Sequence, residues 1–502
     1  MHEATHFGGV LGIAALVLAA AVLGNRVSQW LRLPAPLVFL VAAAVASDLI
    51  PSLGTMSILT VQQIVTVALI VILFDGGMHI GWRHFRANAA AITWLGIVGT
   101  LVTAGALAAI GHLVFGLPWR DALLVGTALA PTDPAVVFSV LGGREVQGRG
   151  GVLLEGESGA NDPAGIALMA AILAASSAGG GGIGLGDVGN GVREFVVELV
   201  LGAVIGLLGG RGLLWSIRRI SLPAESLYPL LVLSGAGILF GATTAAHGSG
   251  YLAVFVAGIV LGDERAPYKM DIERFQSALA SLGEIVAFTV LGLTVHLASL
   301  GDGNAWEIGV GLAVVLTLLV RPLLVGLVLL PVKLDRPERV FVLWAGLKGA
   351  VPILLATFVL QDQLSRGDVA RGTRLYDIVV VVVAFSVLVQ GGLVPAVAKW
   401  VGLPMRVVEP QPWAAGVRLT VEPSGLRHYV VAEASSADGC TIRDLPVGEE
   451  VWVSLVVRGG GLLQVRGDTV LEAGDDVAVI AEDDQLALLG AIFEERPDEG
   501  VH

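Results

Sequence analysis

One apolar run of the chain, residues 121–141, is interrupted at its centre by the sequence Ala130-Pro131-Thr132-Asp133-Pro134. The two prolines remove backbone donors and disrupt the helical turn between them. A second apolar run, residues 339–360, is interrupted by Gly346-Leu347-Lys348-Gly349-Ala350-Val351-Pro352. Non-helical backbone at membrane depth survives only where it is buried in protein or lines a cavity. The two runs therefore predict a pair of broken helices, a pattern that points to a binding site within the membrane.

The composition of the whole chain agrees with a membrane location. Of the 502 residues, 55% are hydrophobic and only 15% are charged, and the mean hydropathy is +0.81. A soluble domain carries about a quarter charged residues, so the chain is predicted to be a polytopic α-helical membrane protein. The single cysteine, Cys440, excludes an intrachain disulfide and a thiolate metal cluster. No cofactor is indicated.

Charge divides the chain near residue 408. Residues 409–502 carry a net charge of −12 out of the total of −13, and they contain short strand patterns instead of long apolar runs. We therefore expect a membrane domain at 1–408, a proline-containing linker at 409–416 and a small α/β cytoplasmic domain at 417–495. The acidic balance argues against binding of nucleic acid.

Thirteen segments are apolar over most of the ~20 residues that cross a bilayer. They lie near residues 8–25, 34–50, 58–77, 89–115, 121–141, 158–178, 192–214, 227–246, 249–263, 275–299, 306–331, 339–360 and 374–400. The broken helices are the fifth and the twelfth, an odd offset that makes them antiparallel and predicts an inverted repeat. Lys and Arg concentrate after the odd-numbered helices, which predicts an external N-terminus and a cytoplasmic C-terminal domain.

Seven charged residues fall within or at the ends of these helices: Asp75, Asp133, Glu157, Asp162, Glu284, Arg321 and Lys348. A charge at the centre of a membrane helix costs ~2.5–3.5 kcal/mol, so these side chains predict a water-lined site or buried pairs. Glu284 and Arg321 are candidates for structural ion pairs.

The richest cluster is Glu155-Gly-Glu157-Ser158-Gly-Ala-Asn161-Asp162-Pro163, at the start of the sixth helix. Ser158 and Asp162 are four residues apart and share one helix face. Their hard oxygen atoms suit an alkali cation, and the carbonyl groups freed in helix 5 can supply further ligands. The charged form of a carboxylate in a partly dry cavity is disfavoured. Asp162 is therefore predicted to hold a proton or a cation in turn.

Three motifs in this order, Thr132-Asp133-Pro134, Glu157 to Pro163 and Gly346 to Val351, resemble those of the NhaP-type monovalent cation:proton antiporters over nearly all of residues 1–408. The resemblance implies a homodimer of thirteen-helix subunits in the cell (inner) membrane, with a dimerisation domain and a mobile core domain. It assigns the exchanged proton or cation to Asp162, and Thr132, Ser158 and Asp75 complete the site.

Further roles follow from the same resemblance. Asn161 is implied to hold Asp162 in place, and the Asn-Asp pair marks the electroneutral branch of the family. Asp133 supports the site. Many relatives have Arg in place of Lys348 and Glu in place of Asp75, so Asp75 is expected to reach the ion through water. Lys348 is predicted to form a buried pair with Glu157 that holds helix 12 against helix 6.

The acidic tail contains the predicted strands Tyr429–Glu433, Val451–Val457 and Asp476–Ile480, and the triplet Gly459–Gly461 is predicted to form a turn. Together with the sequence Gly467-Asp-Thr-Val-Leu-Glu-Ala-Gly-Asp475, this region resembles the RCK-C (TrkA-C) domain. The resemblance implies regulation by a small ligand such as a nucleotide; an oligomerisation module without a ligand is the alternative.

The leading hypothesis is an electroneutral antiporter, and not an enzyme, that exchanges K⁺ or Na⁺ for H⁺ by alternating access. The tail favours K⁺. A ligand-gated cation channel is the alternative, although no carbonyl-rich filter loop is evident. An intramembrane hydrolase would use two facing aspartates such as Asp75 and Asp162, but it would leave the broken helices without a purpose.

Overall fold

The computed structural model describes residues 34–141, 144–146, 148–178, 185–264, 266–407, 426–448, 451–459, 461–481 and 485–493. The chain divides into two compact units, Met1–Val408 and Glu409–His502. The first predicted helix, at 8–25, and the predicted linker lie outside the described residues.

The first unit is almost entirely helical. Its helices, in chain order, are α1 Ala35–Leu49, α2 Ile58–Thr93, α3 Thr100–Leu113, α4 Trp119–Ala128, α5 Pro134–Leu141, α6 Arg149–Ala178, α7 Leu185–Arg219, α8 Leu227–Ala245, α9 Gly250–Gly262, α10 Lys269–Leu293, α11 Ala305–Val328, α12 Arg336–Trp344, α13 Ala350–Ser365 and α14 Val369–Trp400. Short 3₁₀ turns lie at Pro51–Thr55 and Ser299–Asn304. Each predicted apolar segment within the described residues overlaps one of these helices or two helix fragments. Helix α6 begins at Arg149, nine residues before the predicted start at 158, so the carboxylate cluster lies inside the helix and not at its start.

The long helices bend at identifiable places. Gly81 adopts φ 67° within α2, a left-handed conformation that favours glycine and produces a kink. A π-helical turn at Trp94–Gly99 joins α2 to α3. Two further π-helical turns, Leu316–Val325 in α11 and Ser386–Gly391 in α14, carry polar residues of the site described below.

Both predicted interruptions are present as breaks between short helices. Helix α4 ends at Ala128 and α5 begins at Pro134, where proline is well accommodated because the first helical turn needs no amide donor. Helix α12 begins with a capping box between Asp335 and Glu338 and ends at Trp344, and α13 begins at Ala350. Five helical segments among the described residues are long and apolar enough to cross a membrane, and α1, α9 and α13 are shorter apolar helices.

A two-stranded sheet was not predicted. Strand β1, Arg144–Val146, pairs antiparallel with β2, Met405–Val407, so that Val146 lies opposite Met405. Three-residue strands leave too short an alternation of apolar and polar residues to be recognised in a sequence. The pairing joins the start of α6 to the end of the first unit.

Helix α9 is packed by backbone contact on two sides. A Cβ atom added to Gly258 would lie 2.2 Å from the Phe74 carbonyl oxygen of α2, and one added to Gly206 of α7 would lie 2.5 Å from the Ala253 carbonyl oxygen of α9. Small residues allow membrane helices to approach this closely. Glycine is therefore required on both flanks of α9.

The second unit contains a four-stranded antiparallel sheet in the order β3-β6-β4-β5. The strands are β3 Leu426–Val430, β4 Trp452–Arg458, β5 Gly461–Leu463 and β6 Asp476–Ile480, followed by helix α15 Leu486–Phe493. The pair Arg458–Gly461 closes a β4–β5 hairpin over the predicted glycine turn. Phe493 stacks on Tyr429 with 5.4 Å between ring centroids, so α15 covers one face of the sheet.

Candidate cation and proton site

The two breaks are joined by hydrogen bonds at the same depth in the fold. The Lys348 Nζ atom, which is fully buried, donates to the carbonyl oxygens of Ala130 at 3.0 Å and Pro131 at 2.9 Å. These carbonyl groups follow the end of α4 and have lost their helical partners. In this conformation the lysine contacts both carbonyl oxygens, and their use as cation ligands stays a prediction.

Asp133 makes the complementary connection. Its backbone amide donates to the Leu347 carbonyl oxygen at 2.8 Å. Its carboxylate accepts from the Ala135 amide at 2.9 Å, and it interacts electrostatically with the amide of Ala350 at the start of α13. Because a helix N-terminus carries partial positive charge, one carboxylate faces the starts of both α5 and α13. Asp133 is thus placed to hold the crossing together.

The carbonyl groups at the end of α12 are satisfied by side chains from the two π-helical turns. Arg321 donates to the carbonyl oxygens of Leu343 at 3.0 Å and Val342 at 3.1 Å. Gln390 donates to the Trp344 carbonyl oxygen at 2.6 Å. Gln390 also accepts from Ser386, whose hydroxyl receives the Lys348 amide at 3.1 Å. The broken backbone is consequently stabilised by side chains of the two π-helical turns.

Glu157 pairs with Arg321, and the predicted direct pair between Glu157 and Lys348 is wrong. The Arg321 Nη1 atom lies 3.1 Å from Glu157 Oε1, and both side chains are at most 5% exposed. The planar guanidinium can contact the carboxylate and two carbonyl groups at once, whereas the compact ammonium of Lys348 fits between the freed carbonyl groups of helix 5. Arg321 crosses so close to Gly346 that an added Cβ would lie 1.8 Å from its Cζ atom.

Asn161 contacts Thr132. Its Nδ2 atom donates to Thr132 Oγ1 at 2.7 Å, and its Oδ1 atom accepts from the Thr132 amide at 3.3 Å. Both residues are buried. Asn161 therefore fixes the broken segment of helix 5 to α6, and within the described hydrogen bonds it does not contact the Asp162 carboxylate.

Asp162 opens into a cavity of about 400 Å³ next to this crossing. Asp75, Asp133, Ser158 and Glu284 also line the cavity. Asp162 is 7% exposed, and its buried Oδ1 atom has no hydrogen-bond partner among the described residues. Ser158, one turn earlier on α6, lines the same cavity beside this carboxylate. Burial of an unsatisfied carboxylate oxygen is costly, so this atom is the one in the site that most needs a proton or a cation.

Across the cavity, Asp75 Oδ1 accepts a hydrogen bond from the Ser277 hydroxyl at 2.9 Å. Glu284, two turns beyond Ser277 on α10, makes no ion pair within the part of the chain that the structure describes. Its proposed structural pairing is therefore wrong there, and it is a cavity residue. Arg321, the other candidate, has Glu157 as its partner.

Sequence reasoning missed His79 and Ser277 and gave no role to Glu155 of the carboxylate cluster, and all three line the cavity. The signal was present for two of them. His79 lies one turn after Asp75, with 3.4 Å between its Nδ1 atom and the carboxylate, and Ser277 lies two turns before Glu284 on the same helix face. Among the described residues, no three His, Cys, Asp or Glu side chains form a group that could hold a resident metal ion.

Carboxylates that face a cavity beside two broken membrane helices define a secondary ion transporter. The family described as "Sodium/hydrogen exchanger, transmembrane" matches residues 14–400, and the TrkA-C domain matches residues 426–494. The chain belongs to the sodium/hydrogen exchanger family, and it is an NhaP-type monovalent cation:proton antiporter with a C-terminal TrkA-C domain. It is a transporter and not an enzyme. Because members of this family exchange ions, the hypothesis of a ligand-gated cation channel is no longer needed.

Named relatives agree with this placement. The chain is 32% identical over 500 residues to the K(+)/H(+) antiporter NhaP2 of Shewanella oneidensis, covering 97% of this chain and 83% of that protein. It is 28% identical over 352 residues to the Na(+)/H(+) antiporter NhaH of Halobacillus aidingensis, covering 68% and 83%. The structure of the sodium proton antiporter MjNhaP1 from Methanocaldococcus jannaschii superimposes with a TM-score of 0.65 at 23% identity, covering 78% of this chain and 98% of that one. The fold is therefore that of a multi-pass helical antiporter.

Proposed function

We propose that the protein exchanges K⁺ for H⁺ without net charge movement, and that Asp162 binds the two ions in turn. The observation that carries the proposal is the unpartnered, buried Oδ1 atom of Asp162 at the cavity wall. A proton or an alkali cation satisfies this atom, and either one neutralises the carboxylate. The two ions therefore compete for one site, which is the requirement for coupled exchange.

Ser158 and Asp75 complete the cation site in this proposal. Ser158 supplies a hydroxyl oxygen beside Asp162. Asp75 is held by Ser277 at the facing wall, and it contributes negative charge and contacts the ion through water. Thr132 and Asn161 support the site by fixing helix 5, and Asp133, Glu157 and Lys348 hold the crossing. Oxygen ligands of this kind suit alkali cations.

The preference for K⁺ is drawn from relatives and from the tail. The relative with 32% identity is named a K(+)/H(+) antiporter, and the one with 28% identity is named a Na(+)/H(+) antiporter. TrkA-C domains accompany potassium transport systems. Na⁺ remains the second substrate of the proposal.

Proton flux into liposomes tests the site and the ion together. Purified protein is reconstituted with an internal pH dye, and K⁺ or Na⁺ gradients are applied separately. Wild type should respond more strongly to K⁺, and Asp162→Asn should give no response. Asp271→Asn, which makes the same change at an exposed position in the first turn of α10, should behave as wild type. Normal exchange by Asp162→Asn would exclude Asp162 as the shared site.

In this proposal the protein has thirteen membrane helices arranged as an inverted repeat. The broken helices α4–α5 and α12–α13 are its matching elements. Domains span 1–408 and 417–495, with a linker at 409–416. The N-terminus lies outside the inner membrane and the tail lies in the cytoplasm. Support for this orientation comes from Arg149, Lys333 and Arg406, which lie after different odd-numbered helices and belong to connected elements on one side of the fold.

The protein acts in this proposal as a homodimer whose core moves to give alternating access. The TrkA-C domain regulates it through a small ligand such as a nucleotide. The sequence resemblance described above is the support for both statements. A shift of the exchange rate when a nucleotide is added on the tail side tests the regulatory part independently of Asp162.

A further inference from the structure

A second cavity, of about 530 Å³, lies between the second half of α2 and the segment that follows α11. Ala90 and Trp94 form an apolar wall together with Val332, and Asn88, Arg149 and Lys333 form a polar rim. It shares no residue with the cavity that contains Asp162. The proposed exchange of protons and cations therefore does not use this second cavity.

The cavity lies beside the end of an apolar helix that is long enough to cross a membrane. Helix α11 ends at Val328, and the Trp94 indole Nε1 atom donates to the Val328 carbonyl oxygen at 2.8 Å. Trp94 is 45% exposed. Tryptophan concentrates at this level because its ring is apolar and its N–H group is polar. A molecule in the cavity would thus have one end in the membrane and one end at its surface.

The polar rim carries two cationic side chains, Arg149 and Lys333, that form no ion pair with a described residue. Arg149 donates through Nε and Nη2 to Asn88 Oδ1, at 2.9 and 2.7 Å, and through Nη1 to the Lys333 carbonyl oxygen at 3.1 Å. These bonds use three of the five N–H groups of a guanidinium. The Lys333 ammonium makes no ion pair within the described part of the chain.

The neighbouring carboxylate, Glu338, is already occupied by backbone amides. It accepts from the amide of Arg149 at 2.8 Å and from the amide of Asp335 at 3.3 Å. Two cationic groups with unused donors consequently face a space whose other wall is apolar. This combination fits an amphipathic anion.

We infer that the cavity binds one anionic phospholipid from the membrane leaflet on this side. Its phosphate contacts Lys333 and the free N–H groups of Arg149, and the start of one acyl chain lies along Ala90 and Trp94. Basic pockets beside membrane helices recognise lipid head groups in this way. A free phosphate ion would leave the apolar wall unused, and a zwitterionic lipid would leave the charge of the rim unbalanced.

Native mass spectrometry of the full-length protein tests the inference, with phosphatidylglycerol added to the detergent solution. Wild type should retain one phosphatidylglycerol per chain. Lys333→Ala should weaken retention about fivefold, the effect of one basic residue near an anionic lipid, and Lys333→Arg should restore it. Ala90→Trp should abolish retention by filling the cavity. Lys399→Ala, an exposed lysine near the end of α14, is the matched control and should bind as wild type.

Unfolding temperatures are measured for every variant, and those of Lys333→Ala and Ala90→Trp should match wild type because both residues are exposed. Equal retention of phosphatidylglycerol by these two variants and wild type would overturn the inference. Equally tight binding of phosphatidylcholine would overturn the role of charge. Displacement of the lipid by inorganic phosphate alone would show an anion site instead.

Discussion

Arg321 and Glu157 form a buried ion pair between α11 and α6, in which Arg321 donates to both carboxylate oxygens at 3.1 and 3.5 Å. Arg321 lies in a π-helical turn, and Glu157 lies five residues before Asp162 on the same helix. The pair therefore couples the helix that carries Asp162 to the carbonyl groups at the end of α12. Its contribution is to fix geometry, because burial of two charges offsets much of their attraction.

Glu157→Gln should lower the stability of the protein by about 3–5 kcal/mol, because it leaves the charge of Arg321 buried without a partner. The double variant Glu157→Gln with Arg321→Met should recover part of this loss. Thermal unfolding in detergent measures both effects. Glu157→Gln with Lys348→Met is the control and should show no recovery. Recovery in that control instead would restore Lys348 as the partner of Glu157.

Lys348→Met should destabilise the crossing, because it leaves the carbonyl groups of Ala130 and Pro131 without donors. Each unsatisfied carbonyl group costs roughly 1–3 kcal/mol. Lys399→Met, at an exposed lysine, should unfold at the temperature of wild type. If Lys348→Met is as stable as wild type and changes only the pH profile of exchange, Lys348 acts on Asp162 through its charge.

Gly349→Ala should disrupt the crossing by contact with Asp133, since the new Cβ atom would lie 1.8 Å from Asp133 Oδ2. We expect a loss of at least about 1–3 kcal/mol in stability, as for other overpacked sites. Gly241→Ala makes the same change in α8, where no heavy atom lies within 4 Å of the added Cβ. That variant should be as stable as wild type or slightly more stable. Equal unfolding temperatures for the two variants would contradict the close approach.

Exchange should generate no electrical current, because Asn161 is neutral and is engaged with Thr132. Recording on a solid-supported membrane with a K⁺ gradient should give no transient for wild type, while the pH dye reports flux in the same liposomes. Asp162→Asn supplies the baseline. A transient current whose sign reverses with the direction of the K⁺ gradient would mean that exchange moves net charge and is not one proton per cation.

Stability of the TrkA-C domain should depend on the Asp475–Arg458 pair at acid pH. The Arg458 guanidinium, 2.7 Å from both carboxylate oxygens, lowers the pKa of Asp475. A depressed pKa adds stability that is complete above the unfolded value of about 3.9 and is lost as pH falls through the folded value. Asp475→Asn should therefore flatten the loss of stability below about pH 4.

Hydrogen exchange of tail peptides in the full-length protein, corrected for intrinsic rates, measures this effect. Glu433→Gln, at an exposed position of the same domain, is the control and should keep the pH dependence of wild type. If Asp475→Asn loses as much stability at acid pH as wild type does, other carboxylates cause the pH dependence.

The positions of the helices and of both breaks could be predicted from the sequence because each depends on local composition. Long apolar runs specify helices, and Pro131 with Pro134 specifies the first break. Ser158 and Asp162 could be placed together because four residues make about one helical turn. The tail sheet was likewise recognisable from its alternating strands, although β3 begins three residues earlier than predicted.

The partners of charged residues could not be predicted in this way. Glu157 and Arg321 are 164 residues apart, and the direction of Arg321 depends on a π-helical turn that has no sequence signal. Lys348 was paired with the wrong group because side chains compete with freed backbone carbonyl groups, whose positions depend on how the two breaks cross. The cavity that contains Asp162 similarly depends on the contact between α2, α6 and α10.

The glycine contacts of α9 also limit where motion can occur. Two neighbours, α2 and α7, touch its backbone directly, so sliding by even a fraction of a helical turn would drive Cα atoms into carbonyl oxygens. These three helices therefore behave as one stiff body. In the proposed alternating access, the displacement that exposes Asp162 to the opposite side of the membrane would take place along other boundaries, where side chains and not backbones meet. Substitutions that widen the α9 contacts should accordingly slow turnover through lost stiffness, even though neither Gly206 nor Gly258 lines the cavity that contains Asp162.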